Sequence, residues 1–228
     1  MNLKLIHIKS LGGIHPEGTR WLRGSDLGLF PSLENAYLTI IDGKISDFGP
    51  MTHCPQDDLP THDCSDRHVL PAFVDSHSHL VYAGTREEEF NLRLKGASYE
   101  EIAAAGGGIL NSAAKVGTST VDQLVSQAKF RLENLIDCGT GTLEVKSGYG
   151  LDPENELKLL RAIKALNSQS RATLVPTFLA AHALPAWAKA QGMNDASYTK
   201  YMLDECLPTA QKEGLALFLD GFIERDYF

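Results

Sequence analysis

From residue 69 to residue 222, four nearly continuous apolar runs alternate with amphipathic stretches, and no other feature restricts the fold as much. The runs are Val69 to Asp75, Thr142 to Lys146, Thr173 to Ala181 and Leu215 to Phe222. Unbroken apolarity is the pattern of parallel strands covered on both faces. Ahead of the second run, Thr120 and Gln123 can form a capping box, Leu124, Ala128, Leu132 and Leu135 make one stripe, and Gly139 ends it. Ahead of the third, Asp152-Pro153 supplies a capping carboxylate and a proline for the first helical position, and Leu157, Leu160 and Ile163 follow at near-helical spacing. Strands and helices in alternation build an α/β barrel or a doubly wound sheet. A closed barrel needs eight strands and about 250 residues, so four strands make half of one.

The first 65 residues read differently. Leu3 to Ile8, Ala36 to Ile41 and Lys44 to Phe48 are short strand candidates, and Asp42-Gly43 between the last two is a tight-hairpin signal. His15 to Glu34, rich in glycine, proline and charge, reads as loop, and Met51 to Arg67 is again polar. The chain therefore divides near residue 65 into a small β domain, residues 1–65, and an α/β domain, residues 66–228.

Composition removes several classes of function. With 21 basic against 29 acidic residues, a net charge of −8 and no basic cluster, nucleic acid is not an expected partner. No apolar stretch approaches the roughly 18 residues of a membrane span, and residues 1–12 lack a signal core, which points to a cytoplasmic protein. Cys54, Cys64, Cys138 and Cys206 are scattered and read as free thiols.

The chemistry concentrates at His77-Ser78-His79, at the end of the first apolar run. Residues two apart on a strand share a face, so both imidazoles can converge on one ion. Imidazole suits zinc, iron and nickel, and a catalytic zinc takes three protein ligands and keeps one position open. Two histidines at a strand end can equally well pack or face solvent.

The surroundings decide between these readings. Pro71 to Leu80 reads PAFVDSHSHL and resembles the strand-one signature PGxVDxHxHL of the amidohydrolase superfamily, departing from it at Ala72. VYAGTREEEFNLRLKGASYEEIAAAGGGI after the histidines, LEVKSGYGLD at 143–152 and TFLAAHALP at 177–185 each resemble blocks of the imidazolonepropionases, in order. DGKISDFGP at 42–50 resembles a hairpin of the β-sandwich that flanks amidohydrolase barrels. The likeness covers nearly the whole chain. It implies a partial (β/α)8 TIM barrel, about its first four strands, with an N-terminal portion of a β-sandwich. It implies metal-dependent hydrolysis of 4-imidazolone-5-propanoate to N-formimidoyl-L-glutamate in histidine breakdown, by a homodimer. A bound metal suits this reaction, since it lowers the pKa of a water from about 15.7 to about 7 and polarises the ring carbonyl.

The resemblance makes His77 and His79 ligands of one zinc or iron ion and Arg86, Tyr149 and His182 substrate contacts, with His182 also catalytic. Arg86 suits the propionate carboxylate, which a guanidinium can grip through two parallel hydrogen bonds; its alternative is a surface ion pair with Glu87 to Glu89. Tyr149 sits in a Ser-Gly-Tyr-Gly turn, where an aromatic can instead cover a barrel rim, and His182 alone would read as a hydrogen-bonded core residue.

Other signals carry less. Gly106-Gly107-Gly108 lacks a following phosphate-binding Lys and reads as an active-site loop. His53, Cys54, His62 and Cys64 are too irregularly spaced for a zinc knot. Lys146 shares a strand face with Glu144, and an internal ion pair is expected rather than a bridging carbamylated lysine. Glu224, near the end of the fourth run, belongs to no motif. The family's later histidine and aspartate ligands have no counterpart here, and no histidine follows His182. The chain thus reads as the front of a protein of roughly 400 residues, with two imidazoles that alone would activate water poorly. The alternatives are another cyclic amidohydrolase or deaminase of the superfamily, or a non-catalytic half barrel.

Overall fold

The computed structural model describes residues 1–98, 101 and 107–223, and for residue 88 the backbone only. Two compact units emerge, Met1–Pro71 and Ala72–Phe228.

The first unit is one mixed sheet of five strands: β1 (Leu3–Gly12), β2 (Ser32–Ile41), β3 (Lys44–Pro50), β4 (Thr61–Asp63) and β5 (His68–Val69). β3, β2 and β1 form an antiparallel ladder, and β4 and β5 both run parallel to β1. Asp42 and Gly43 join β2 to β3 with both φ angles positive, 52° and 75°, as a tight hairpin requires. Ile8, Leu11, Ala36, Leu38 and Cys64 form a small buried core. β1 and β2 are longer than the apolar pattern indicates, because backbone pairing such as Leu11↔Leu33 continues beyond it. The expected loop 15–34 is correspondingly shortened and contains a 3-10 turn at Gly24–Gly28.

In the second unit, four strands lie side by side, parallel and in chain order: β6 (Phe73–Ser78), β7 (Thr140–Lys146), β8 (Thr173–Ala181) and β9 (Phe218–Gly221). This arrangement is the curled, parallel half-barrel sheet of a mixed α/β fold. Among the described residues the helices are α1 (Glu87–Leu94), α2 (Ile109–Thr118), α3 (Val121–Asp137), α4 (Pro153–Asn167), α5 (Ala186–Ala190) and α6 (Asp195–Glu213). Thr120 and Gln123 cap α3 reciprocally, and the Asp152 side chain accepts the Asn155 N–H at the start of α4. α4 buries Leu159, Leu160, Ile163 and Leu166 in the same core as Leu143 and Val145 of β7 and Phe178 of β8.

Two strand expectations are corrected. The run Val69 to Asp75 is not one strand: Val69 pairs with Leu11 in the first sheet, and β6 begins at Phe73. Pro71 lacks the N–H that would continue a ladder. The last run shortens to Phe218–Gly221, because Gly214, at φ 59°, closes α6 and Leu215 donates its N–H back to Ala210. Coverage on both faces holds for β7 and β8 but not at the edges, where Phe73 and Val74 are 65% and 68% exposed and Phe218 60%. α6, for which the sequence analysis has no counterpart, buries Tyr198, Met202, Cys206 and Ala210 at four-residue spacing and carries an internal proline, Pro208. The Asn194–Ser197 capping box and Gly214 are the markers that identify it.

Candidate active site at the exit of the parallel strands

The ladder between β6 and β7 shifts register twice, between Phe73 and Val74 and again between Asp75 and Ser78, and the second shift is an irregularity of the kind that re-aims side chains at a sheet rim. The Ser78 hydroxyl donates to the Glu144 carbonyl at 2.6 Å and anchors the strand end. His77 and His79 flank that anchor with ring centroids 6.0 Å apart. Two imidazoles whose nitrogens lie about 2.1 Å from one ion have centroids roughly 5–6 Å apart, so the pair is close enough to share one. Nδ1 of His79 is buried and has no hydrogen-bond partner among the described residues. Burial, reinforced by the neighbouring His182, pushes His79 down to about 4, which keeps its ring neutral near pH 7.

Tyr149 and His182 come from the loops after β7 and β8. The Tyr149 ring stacks on His79 at 4.7 Å, and His182 stacks on His79 at 5.3 Å and on Tyr149 at 5.5 Å. Nδ1 of His182 lies 2.7 Å from the Gly148 carbonyl. A carbonyl only accepts, so this nitrogen carries the proton. Burial lowers the His182 pKa and raises that of Tyr149.

Arg86 stands with its guanidinium 5.7 Å from the Tyr149 ring centre. It makes no ion pair among the described residues: Nε and Nη2 both donate to the Ser112 hydroxyl, at 3.0 and 2.9 Å. Glu87 accepts from Thr85 and Glu89 from Asn111 instead. The loop between β6 and Arg86 is held from α3, where Arg131 donates to the carbonyls of Leu80 and Tyr82 and lies 3.6 Å from the Tyr82 ring centre. His79, Tyr82, Arg86, Ser112 and Tyr149 line a cavity of about 300 Å³, and His77 and His182 are not among its walls.

Beside the histidines, Lys146 donates to Glu144 at 2.8 Å and to Asp220 of β9 at 2.6 Å, and Thr177 of β8 donates to Glu144 at 2.6 Å. Burial alone would lower the Lys146 pKa, but the two carboxylates outweigh it and hold it above the ordinary lysine range. The expected Glu144–Lys146 pair is thus extended by Asp220, a residue with no motif to announce it. Glu156, 1% exposed on α4, was also silent in the sequence, although its place three and four residues before Leu159 and Leu160 puts it on the apolar stripe.

Among the described residues no group of three or more His, Cys, Asp or Glu side chains is arranged to hold a metal, neither here nor around His53, Cys54, His62 and Cys64. All four cysteines are free. Gly106 and Glu224 lie outside the described residues, while Gly108, at φ 79°, precedes α2. No helix among the described residues is long and apolar enough to cross a membrane.

No family model matches the chain. It is 42% identical over 229 residues to an imidazolonepropionase of Flavobacterium psychrophilum, covering all of this chain and 55% of that protein. With an imidazolonepropionase of Flavobacterium johnsoniae it shares 44% identity over 206 residues, 90% of this chain and 49% of the relative. Among solved structures, an atrazine chlorohydrolase from Arthrobacter aurescens TC1, complexed with zinc, superimposes with a TM-score of 0.57 over 95% of this chain and 46% of that one. At 14% identity that likeness concerns the fold alone. The chain spans about half the length of the curated relatives it matches, and the family to which its sequence belongs is that of the imidazolonepropionases.

Proposed function

We propose that this chain supplies part of the active site of a metal-dependent cyclic amidohydrolase that opens 4-imidazolone-5-propanoate to N-formimidoyl-L-glutamate. The single observation that carries the reading is the convergence of His79, Tyr149 and His182, ring on ring within 5.5 Å, beside Arg86 and next to His77. Residues far apart in sequence meet at the exit of parallel strands, where barrel enzymes of this architecture work. On the same reading the four parallel strands are the first half of a TIM barrel, residues 66–228, and the N-terminal sheet, residues 1–65, is one layer of a flanking β-sandwich. The complete protein is a cytoplasmic homodimer that binds neither nucleic acid nor membrane.

His77 and His79 would hold one zinc or iron ion. The donors fit such an ion in type and spacing, two imidazoles 6.0 Å apart, one with a buried nitrogen that has no partner among the described residues. They are two of the ligands a catalytic site needs, and the others are not among the described residues. When bound, the metal supplies Lewis acidity and an activated water.

The chain's own residues bind and orient. Nε and Nη2 of Arg86 are engaged by Ser112, which directs the Nη1 end of the guanidinium to the propionate carboxylate. Tyr149, stacked on His79, offers a flat wall to the planar ring and a hydroxyl for a hydrogen bond. His182, protonated at Nδ1, presents Nε2 as an acceptor that holds a ring N–H or takes a proton.

Turnover of 4-imidazolone-5-propanoate by the full-length protein, measured beside guanine as competing substrate, tests the assignment. Hydrolysis of the imidazolone, lost in His77→Ala, is expected. Activity on guanine alone would move the protein to the deaminases of the superfamily, and a metal-free protein inert towards both would make the half barrel a non-catalytic unit.

A further inference from the structure

We infer that Glu156 is a positioning residue for the proposed hydrolysis, fixing through one loop both the Tyr149 wall and the ring orientation of His182. This inference rests on the functional reading above. Burying a carboxylate is costly unless its oxygens are satisfied, and here both are. One oxygen accepts the Gly148 N–H at 2.8 Å, and the other accepts the N–H groups of Gly150 at 2.6 Å and Leu151 at 3.0 Å. These residues bracket Tyr149. No neutral amide can replace this pattern, since one of its two terminal atoms is a donor.

The same loop reaches the second proposed substrate residue. Gly148 gives its N–H to Glu156 and receives Nδ1 of His182 on its carbonyl at 2.7 Å. The connection therefore runs from a buried carboxylate on α4, through Gly148, to the imidazole. The turn is tight enough to need this anchor. Leu151 is held at φ 58°, uncommon for a residue other than glycine, and a Cβ on Gly150 would lie 2.3 Å from the Glu156 backbone nitrogen. A Cβ on Gly148, at φ 98°, would meet Nδ1 of His182 at 2.7 Å. Tyr198 and Trp187 close the far side, both donating to the Leu151 carbonyl. Glu156 touches none of the groups proposed to meet substrate; it sets where they stand.

The test compares wild type with Glu156→Gln in the full-length protein, reading kcat/KM for 4-imidazolone-5-propanoate and the His182 tautomer by ring ¹⁵N NMR. In the variant an amide NH2 must face at least one backbone N–H. We expect kcat/KM to fall roughly 10- to 100-fold, the scale of a misplacement of about 1 Å in a substrate-positioning group, and His182 to change from one Nδ1-protonated form to a mixture. A merely structural role lowers Tm without altering the tautomer; a folded variant with the wild-type ring pattern therefore overturns the inference. If Glu156→Gln does not fold, Glu156→Asp, which keeps the carboxylate but shortens its reach to the loop, carries the test, with the same change in the ring spectrum expected and an unchanged spectrum overturning it. If wild type does not hydrolyse the imidazolone while the tautomer still responds to Glu156, the functional reading fails and the positioning role stands.

Discussion

Arg86 and Ser112, neighbours in the cavity wall and 26 residues apart in sequence, are joined by two hydrogen bonds from the guanidinium to one hydroxyl, at 3.0 and 2.9 Å. Ser112 is buried on α2, so the contact fixes the orientation of a side chain that would otherwise sample many rotamers. Removing the hydroxyl leaves those donors without their partner inside the protein. Ser112→Ala is expected to raise KM for the propionate substrate roughly 10- to 100-fold, the equivalent of one hydrogen bond to a charged group, and to change kcat much less. Steady-state kinetics on the full-length protein checks this, and an equal fall in kcat with KM unchanged would remove Arg86 from the carboxylate.

Lys146 is a second such tie. It links Glu144 on its own strand to Asp220 on β9, across β8. Lys146→Met keeps the length of the side chain but leaves two carboxylates facing each other without a cation. Loss of one partner from a buried pair costs about 3–5 kcal/mol, and Asp220, 42% exposed, places this case at the lower end of that range. Chemical denaturation should show a clear loss of stability, and the double variant Lys146→Met, Glu144→Leu should recover part of it.

Much of the fold is legible in the sequence, and the reasons are physical. β7 and β8 lie in the middle of the sheet, so their burial writes an unbroken apolar run, and the capping side chains of Thr120 and Asp152 mark helix starts locally. The edge strands stop short of their apolar runs at Pro71 and Gly214, where one residue's backbone chemistry ends a run that hydropathy alone would extend. The site was legible only as single residues. His79 and His182 are 103 positions apart in sequence, and nothing in their neighbourhoods states that their rings stack at 5.3 Å. Ser112 and Asp220 carry no sequence signal because each acts through a partner distant in sequence, and Glu156 because its partners are backbone N–H groups of a turn that no side-chain motif marks; charge or polarity on a helix or strand end ordinarily means solvent.

Acid should destabilise the metal-free protein through His79. Its pKa falls from 6.5 to about 4 on folding, so the unfolded chain binds the proton more tightly and stability drops as pH falls from about 6.5 towards 4. Glu144 and Asp220, also held below their ordinary values, add to the loss further into acid, where their contribution disappears as they become protonated. Urea midpoints measured from pH 8 to pH 4 without metal should decline across that window, and His79→Ala should flatten the upper part of the decline. An identical profile in that variant would mean the ring is not buried as neutral imidazole.

The most direct measurement is the metal content and turnover of the full-length protein, with His77→Ala and His79→Ala alongside. We expect one zinc or iron per chain and hydrolysis of 4-imidazolone-5-propanoate in wild type, with metal and activity both lost in either variant. Wild-type turnover that survives in both variants, or a protein that retains its metal without these two imidazoles, would contradict the account.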